Sequence, residues 1–163
     1  MIIRKAEEKD LEELLAIYNY EVQNGNATFD IEPKTLEEWH LWFQRHSTVL
    51  HPLFVAETGL HIGGYVSLSP YREKEAYKNT AELSLYIAPS YRRQGIANQL
   101  MDYIIQAAKK ENQIHTIISV ITSSNRISIH LHEKYGFHYC GTIREVGLKN
   151  GAYLDIDNYQ LLL

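Results

Sequence analysis

A chain of 163 residues with 45% hydrophobic and 22% charged side chains has the make-up of one globular domain, 1–163, large enough to bury a core without disulfide or metal staples; intrinsic disorder, collagen and coiled coil are excluded. A net charge of −4, with Arg4-Lys5, Arg92-Arg93 and Lys109-Lys110 the only adjacent basic pairs, offers no patch for nucleic acid. The single cysteine, Cys140, excludes an internal disulfide and a Cys-based zinc site, while the absence of a long apolar run and of a signal-peptide pattern predicts neither membrane span nor export, and so a cytoplasmic protein.

In chain order, Ile2 to Lys5 reads as a strand. Asp10-Leu11-Glu12-Glu13 reads as a capping box with Asp10 as N-cap, opening a helix whose apolar positions Leu11, Leu14, Leu15, Tyr18 and Val22 carry it to about Val22. Asn24-Gly25-Asn26 stops it. Thr35-Leu36-Glu37-Glu38 is a second capping box, and Leu36, Trp39, Trp42 and Phe43 make one side of the next helix apolar. The period then changes. Leu53 to Ala56 and Ile62 to Leu68, joined across Thr58-Gly59, predict a hairpin. A polar connection bearing Tyr71, Arg72 and Tyr77 leads to a strand over Ala81 to Ile87, with Glu82, Ser84 and Tyr86 on one face.

Pro89 ends that strand. A helix is expected over Gly95 to Lys110, a β-branched strand over Thr116 to Ile121, and a short helix over Ile127 to Tyr135 stopped by Gly136. A strand from Phe137 to about Leu148, a turn at Asn150-Gly151 and a last strand from Tyr153 to Leu162 complete a hairpin. Cys140 is expected to be a small buried hydrophobe on the first of these strands. The predicted class is α+β: a mixed, mostly antiparallel sheet flanked by helices.

The segment Leu85 to Leu100 carries the clearest chemistry. A strand ends, a short basic loop follows and a helix begins at a glycine. The first N–H groups of a helix have no internal partner, and the helix dipole adds partial positive charge. Gly95 and the small Ala97 would let a phosphate approach the backbone, and Arg92 and Arg93 add formal charge; an ordinary loop with solvated arginines is the alternative that the spacing alone leaves open. No Gly-Lys-Ser/Thr follows, which excludes a Walker loop, and the third glycine of a dinucleotide fingerprint is missing.

Arg92-x-x-Gly95-x-Ala97, with the strand and Pro89 before it, resembles the pyrophosphate motif of the GNAT acetyltransferases, and the resemblance spans the chain. Asn125-x-x-Ser128-x-x-Leu131-His132-Glu133-x-x-Gly136-Phe137 is similar to the second half of that fold. Thr80-Ala81-Glu82, Leu131-His132-Glu133 and Val146-Gly147-x-Lys149-x-Gly151-x-Tyr153-x-Asp155 are similar to its phosphinothricin and methionine sulfoximine N-acetyltransferase branch. The resemblance implies that acetyl-CoA lies along Leu85, Tyr86 and Ile87, where the sheet splays, with its pyrophosphate on the N–H groups of Arg93, Gln94, Gly95, Ile96, Ala97 and Asn98 and near Arg92. Asn125 bonds the cofactor or caps its helix. Glu82 is the candidate base, against the reading of a solvent-facing strand glutamate. His132 stands where many GNAT enzymes carry a tyrosine acid. It could give a proton to sulfur or take one from the amine, or be a surface helix histidine.

By the same similarity, Tyr71 and Arg72, with Tyr77 close by, contact the acceptor, Arg72 holding a carboxylate or phosphinate; a surface arginine is the alternative. No metal is expected: His130 and His132 point to nearly opposite sides of a helix, and there is no His-Glu-x-x-His pattern. The implied function is transfer of acetyl from acetyl-CoA to the amine of a small amino-acid-like molecule such as phosphinothricin, methionine sulfoximine or methionine sulfone. Acetylation of a protein N-terminus or a polyamine, and a non-catalytic acyl-CoA-binding module, are the alternatives. A homodimer is also implied, with Trp39, Trp42 and the terminal strand as candidate contacts.

Overall fold

The computed structural model describes residues 1–46 and 48–163. One seven-stranded sheet forms from β1 (Ile2–Lys5), β2 (Leu53–Thr58), β3 (His61–Pro70), β4 (Thr80–Ile87), β5 (Thr116–Thr122), β6 (His138–Lys149) and β7 (Ala152–Leu162), in the spatial order β1-β2-β3-β4-β5-β7-β6. All neighbouring pairs are antiparallel except β4 and β5, which are parallel. The α+β class and the mostly antiparallel sheet stand as the sequence predicts.

Helices α1 (Leu11–Asn24) and α2 (Leu36–Arg45) cover one face, where Leu11, Leu14, Ile17 and Trp39 bury against Leu53, Val55, Ile62 and Tyr65. Helix α3 (Ile96–Glu111) covers the other, with Leu100, Met101 and Ile104 fully buried against Val66, Leu68, Leu83 and Ile117. Helix α4 (Arg126–Lys134) adds Ile129 to this second core. Burial of each such aliphatic side chain contributes about 1.5–3 kcal/mol. Among the described residues no helix is long and apolar enough to cross a membrane.

Three expectations are corrected. The capping box at the first helix belongs to Glu7 and Asp10, not to Asp10 and Glu13. The Asp10 carboxylate is turned back to accept from the Glu7 N–H at 2.7 Å and from both Arg4 terminal nitrogens at 2.7 and 2.8 Å, so it makes no side-chain cap for α1. Cys140 is exposed rather than buried. It is an extra residue between Tyr139 and Gly141, where the β6–β7 register shifts, and a bulge displaces a side chain from the alternation that periodicity assumes. Trp39, a candidate dimer contact, belongs instead to the α1–α2 core, where its ring stacks on Trp42 at 4.3 Å. The Thr35–Glu38 capping box is present, and Asn150 and Gly151 both take positive φ (52° and 76°) in the β6–β7 turn, as a type I′ hairpin requires.

Candidate active site

The pairing of β4 with β5 covers Thr80, Ala81 and Glu82 and then stops. On its other side β4 stays paired with β3 as far as Ile87, and β5 stays paired with β7 as far as Thr122. Past Glu82 the sheet therefore parts into two halves, and the β5-facing edge of Leu83 to Ile87 has no strand partner among the described residues. The gap is a cleft of about 1300 Å³ lined from Glu82 along β4, by Ser119 to Thr122 of β5, by the start of α3 and by α4.

At one end of the cleft lies the loop into α3. The N-cap Gly95 is left-handed (φ 79°) and provides no side-chain cap. Among the described residues the main-chain N–H groups of 93–98 have no acceptor; the first paired amide is Gln99, on the Gly95 carbonyl at 3.3 Å. A Cβ placed on Gly95 would meet no protein atom within 4 Å, so the glycine is needed for its backbone angle and leaves the space before the amides open. An oxyanion carrier fits here by direct bonding to unpaired N–H groups. Arg93 also takes positive φ (61°). Arg92 is less free than its place in the motif suggests. Its guanidinium pairs with Glu21 of α1, lies 5.6 Å from the Tyr20 ring centroid and donates to the Ile87 carbonyl at 3.4 Å. Gln94 turns back to donate to the Ser90 carbonyl. Asn98 ties α3 to α4, accepting from Lys134 Nζ at 2.6 Å and, through its carbonyl, from the Tyr135 hydroxyl at 2.8 Å.

Leu85 and Ile87 pack towards the α3 core, whereas the Tyr86 ring turns to the α1 side, 5.4 Å from both Tyr65 and Tyr18. What this strand offers a ligand along the cleft is main chain. Asn125 is the N-cap of α4, its side-chain oxygen accepting from the Ser128 N–H at 3.2 Å, and it lines the cleft as well.

Glu82 sits where the halves part, and burial pushes its carboxyl above the ordinary carboxylate range. His132, on the opposite wall, is 3% exposed, which excludes the surface-histidine reading. Its Nδ1 is 2.7 Å from the Ser128 carbonyl oxygen; a carbonyl only accepts, so Nδ1 carries the proton. Burial lowers the imidazole pKa, an effect that the Ser128 bond opposes. The ring is accordingly neutral near pH 7, with its lone pair on Nε2, a buried atom without a hydrogen-bond partner among the described residues. Ser119 Oγ, also lining the cleft, is likewise buried and has no hydrogen-bond partner among the described residues. Sequence reasoning missed it, because a serine in a β-branched strand has no local signal; only the parting of the strands makes it a site residue.

Tyr71, Arg72 and Tyr77 are not brought into the cleft lining. They cluster on the connection before β4, the Arg72 guanidinium 5.0 Å from the Tyr71 ring centroid and 5.9 Å from that of Tyr77. Tyr71 donates its N–H to the Thr80 carbonyl, which holds the cluster near the Glu82 end of β4.

The segment after α1 spans the gap. The Asn26 carbonyl accepts from Thr122 Oγ1 at 2.5 Å, and the Asn26 amide donates to Ser124 Oγ at 3.2 Å. The Thr28 carbonyl accepts from the buried Lys149 Nζ at 2.8 Å, and Asp30 accepts from the Tyr18 hydroxyl at 2.6 Å. The Phe29 ring lies on Gly147, where a Cβ would stand 2.3 Å from a ring carbon. The glycine therefore admits the segment to the face of β6.

Comparison with known proteins agrees with this geometry. Residues 3–157 match the acetyltransferase (GNAT) domain family. The phosphinothricin N-acetyltransferase of Streptomyces coelicolor is 37% identical over 97% of this chain and 94% of its own. The L-methionine sulfoximine/L-methionine sulfone acetyltransferase of Pseudomonas paraeruginosa is 34% identical over 99% and 94%. The crystal structure of a Sinorhizobium meliloti phosphinothricin acetyltransferase in complex with acetyl-CoA superposes with a TM-score of 0.95 at 30% identity, covering 99% of this chain and 88% of that one. With a split sheet, an unpaired amide loop and a family match over nearly its whole length, the chain belongs to the GNAT acetyltransferases.

Proposed function

We propose that this protein moves acetyl from acetyl-CoA to the α-amine of a small amino-acid-like molecule, of the phosphinothricin, methionine sulfoximine or methionine sulfone type. The observation that carries the reading is the parting of β4 and β5 at Glu82, with unpaired amides at one end of the resulting cleft and a buried carboxyl and a free imidazole nitrogen on its walls. Residues 93–98 hold the diphosphate by main-chain N–H groups. The open edge of Leu85 to Ile87 lies beside the pantetheine, and Asn125 both caps α4 and faces the cofactor.

Acetyl-CoA supplies a thioester whose carbonyl carbon takes the amine and whose sulfur departs as a thiol. An α-ammonium with a pKa of about 7.7–8.0 needs only about 1 kcal/mol to become the neutral nucleophile at pH 7, against more than 4 for a lysine. Glu82 takes that first proton, directly or across one water. A second N–H proton must leave as the amide forms. The Nε2 lone pair of His132 receives it and passes it to the sulfur, so the imidazole ends as it began. The Ser128 carbonyl fixes the tautomer that makes this possible. Arg72, exposed and without a carboxylate partner among the described residues, meets the acceptor's carboxylate at the Glu82 end, with Tyr71 and Tyr77 holding its plane.

The protein works in the cytoplasm, where acetyl-CoA is made and used, and pairs with a second copy through the β6–β7 hairpin. That hairpin is at the sheet edge and leaves Tyr139, Ile143, Val146, Leu148 and Tyr153 about half exposed or more; light scattering on the eluting protein measures the pairing. The chemistry is tested by thiol release with a panel of amino-acid analogues, polyamines and peptides. Release confined to the amino-acid analogues is expected. Release with polyamines or peptides instead, or with none while acetyl-CoA still binds, refutes the reading.

A further inference from the structure

Ser119 is the first residue of β5 beyond its last pairing with β4, that of Ile118 with Glu82. Alternation turns its side chain to the same face as Ile117 and Ile121, which belong to the core beneath α3 and α4. His132 comes to the cleft from that same side, its ring edge-on to Phe137 of this core with centroids 4.9 Å apart. Glu82, in step with Tyr86, faces the α1 side instead. The point where the strands part is thus flanked by a carboxyl from one face of the sheet and by a hydroxyl and an imidazole from the other.

Ser119 is 1% exposed, and its surroundings explain why the protein supplies its hydroxyl with no partner. Ile117 and Ile121 beside it are hydrocarbons. Tyr159, directly across on β7, commits its hydroxyl to Glu133 at 3.2 Å. Of the buried side-chain polar atoms that lack a partner among the described residues, only Ser119 Oγ and His132 Nε2 line the cleft. Buried polar atoms are nearly always paired, so this pair points to a ligand lying between the half-sheets.

The two groups have complementary chemistry. With its proton on Nδ1, His132 can only accept at Nε2 until it has taken a proton, whereas a serine hydroxyl can donate from the start. Acetyl transfer calls for both. The amine nitrogen bonds to the carbonyl carbon, the carbon–sulfur bond breaks, and its electron pair leaves with the sulfur. A thiolate forming against hydrocarbon is costly without a donor. We propose that Ser119 Oγ–H donates a hydrogen bond to the coenzyme A sulfur and holds it as thiolate until the proton that His132 Nε2 took from the amine arrives. The serine keeps its own proton, the imidazole returns to its neutral form, and the products are an amide and a thiol. The proposal rests on the acetyl transfer proposed above and adds a catalytic residue to it.

The thiol of bound coenzyme A reports this bond without turnover. A donor to the thiolate favours the ionised form, so the bound thiol titrates lower with the hydroxyl than without it. Thiolate ultraviolet absorbance is followed against pH in the coenzyme A complex, and the desulfo-coenzyme A complex serves as the blank for the 12 tyrosines. Ser119→Ala is expected to raise the pKa of the bound thiol by about one unit or more. Glu82 and His132 on the cleft walls, and the Tyr159–Glu133 pair behind Ser119, are the same in both proteins, so the shift belongs to the hydroxyl. Ser119→Ala also lowers kcat roughly ten- to hundredfold while both KM values stay within about twofold. Its Tm does not fall, because the hydroxyl makes no bond in the free protein; a purely structural serine would lower Tm and leave the thiol where it was. An equal thiol pKa in wild type and Ser119→Ala overturns the proposal, whatever happens to kcat. Thiol release by the wild type with amino-acid analogues is read separately. A shifted thiol without release keeps the serine–sulfur bond and removes the proposed reaction; release without a shift does the reverse.

Discussion

Replacing Gly95 by alanine separates the backbone role of this residue from its role towards a ligand. In the free protein the added methyl meets nothing within 4 Å, so the variant loses only the cost of holding an L-residue at φ 79°, about 1–2 kcal/mol. For a domain of this size that is a fall in Tm of about 2–8 °C. In the complex the methyl stands where the diphosphate must approach the N–H groups of 93–98. A hydrogen bond to a charged group contributes about 1.5–3 kcal/mol, so losing one weakens coenzyme A roughly ten- to hundredfold. Gly59 supplies the control: it too has positive φ (66°) and open space around its Cβ, but it lies in the β2–β3 turn. Gly59→Ala is expected to lower Tm by a similar amount and to leave coenzyme A affinity within twofold. Calorimetry and thermal melts on the two variants are sufficient. If Gly95→Ala binds coenzyme A as the wild type does, these amides are not the diphosphate cradle.

Other outcomes are expected on the same grounds. Glu82→Gln and His132→Ala each lower kcat by at least tenfold in folded protein. In the wild type, burial has raised the Glu82 pKa and the base works ionised, so kcat/KM falls as pH drops through a value above the ordinary carboxylate range, an inflection that Glu82→Gln abolishes. Arg72→Ala raises KM for carboxylate-bearing acceptors and leaves KM for acetyl-CoA unchanged; equal shifts in both deny the role. Gly147→Ala drives a methyl into the Phe29 ring, at a cost of about 1–3 kcal/mol, and because Phe29 lines the cleft the acceptor KM rises several-fold while Tm falls. His46 and His132 are both buried with pKa values lowered by desolvation from 6.5. Unfolding lets them take protons, so their contribution to stability is complete above about pH 6.5 and lost below it. The fall in Tm between about pH 7.5 and pH 5 is expected to shrink in His46→Gln, and an unchanged fall rejects that account.

The element order was legible because each segment keeps its own period: alternation along Ala81 to Ile87, helical spacing from Ile96, β-branched residues from Thr116. The amide loop was legible from Gly95 and its neighbours, and the parting of the sheet came from the resemblance alone, since nothing in β4 or β5 signals where pairing stops. Cys140 was misread because a bulge is a property of two strands in register, not of one. Ser119 was invisible for the same reason, since its hydroxyl has a use only where β4 and β5 part.

The segment that crosses the gap has a mechanical consequence. Its bonds to Tyr18 on one side and to Thr122, Ser124 and Lys149 on the other fasten the two half-sheets into one frame. Prising the halves apart would break those ties together, so the frame cannot work as a pair of jaws.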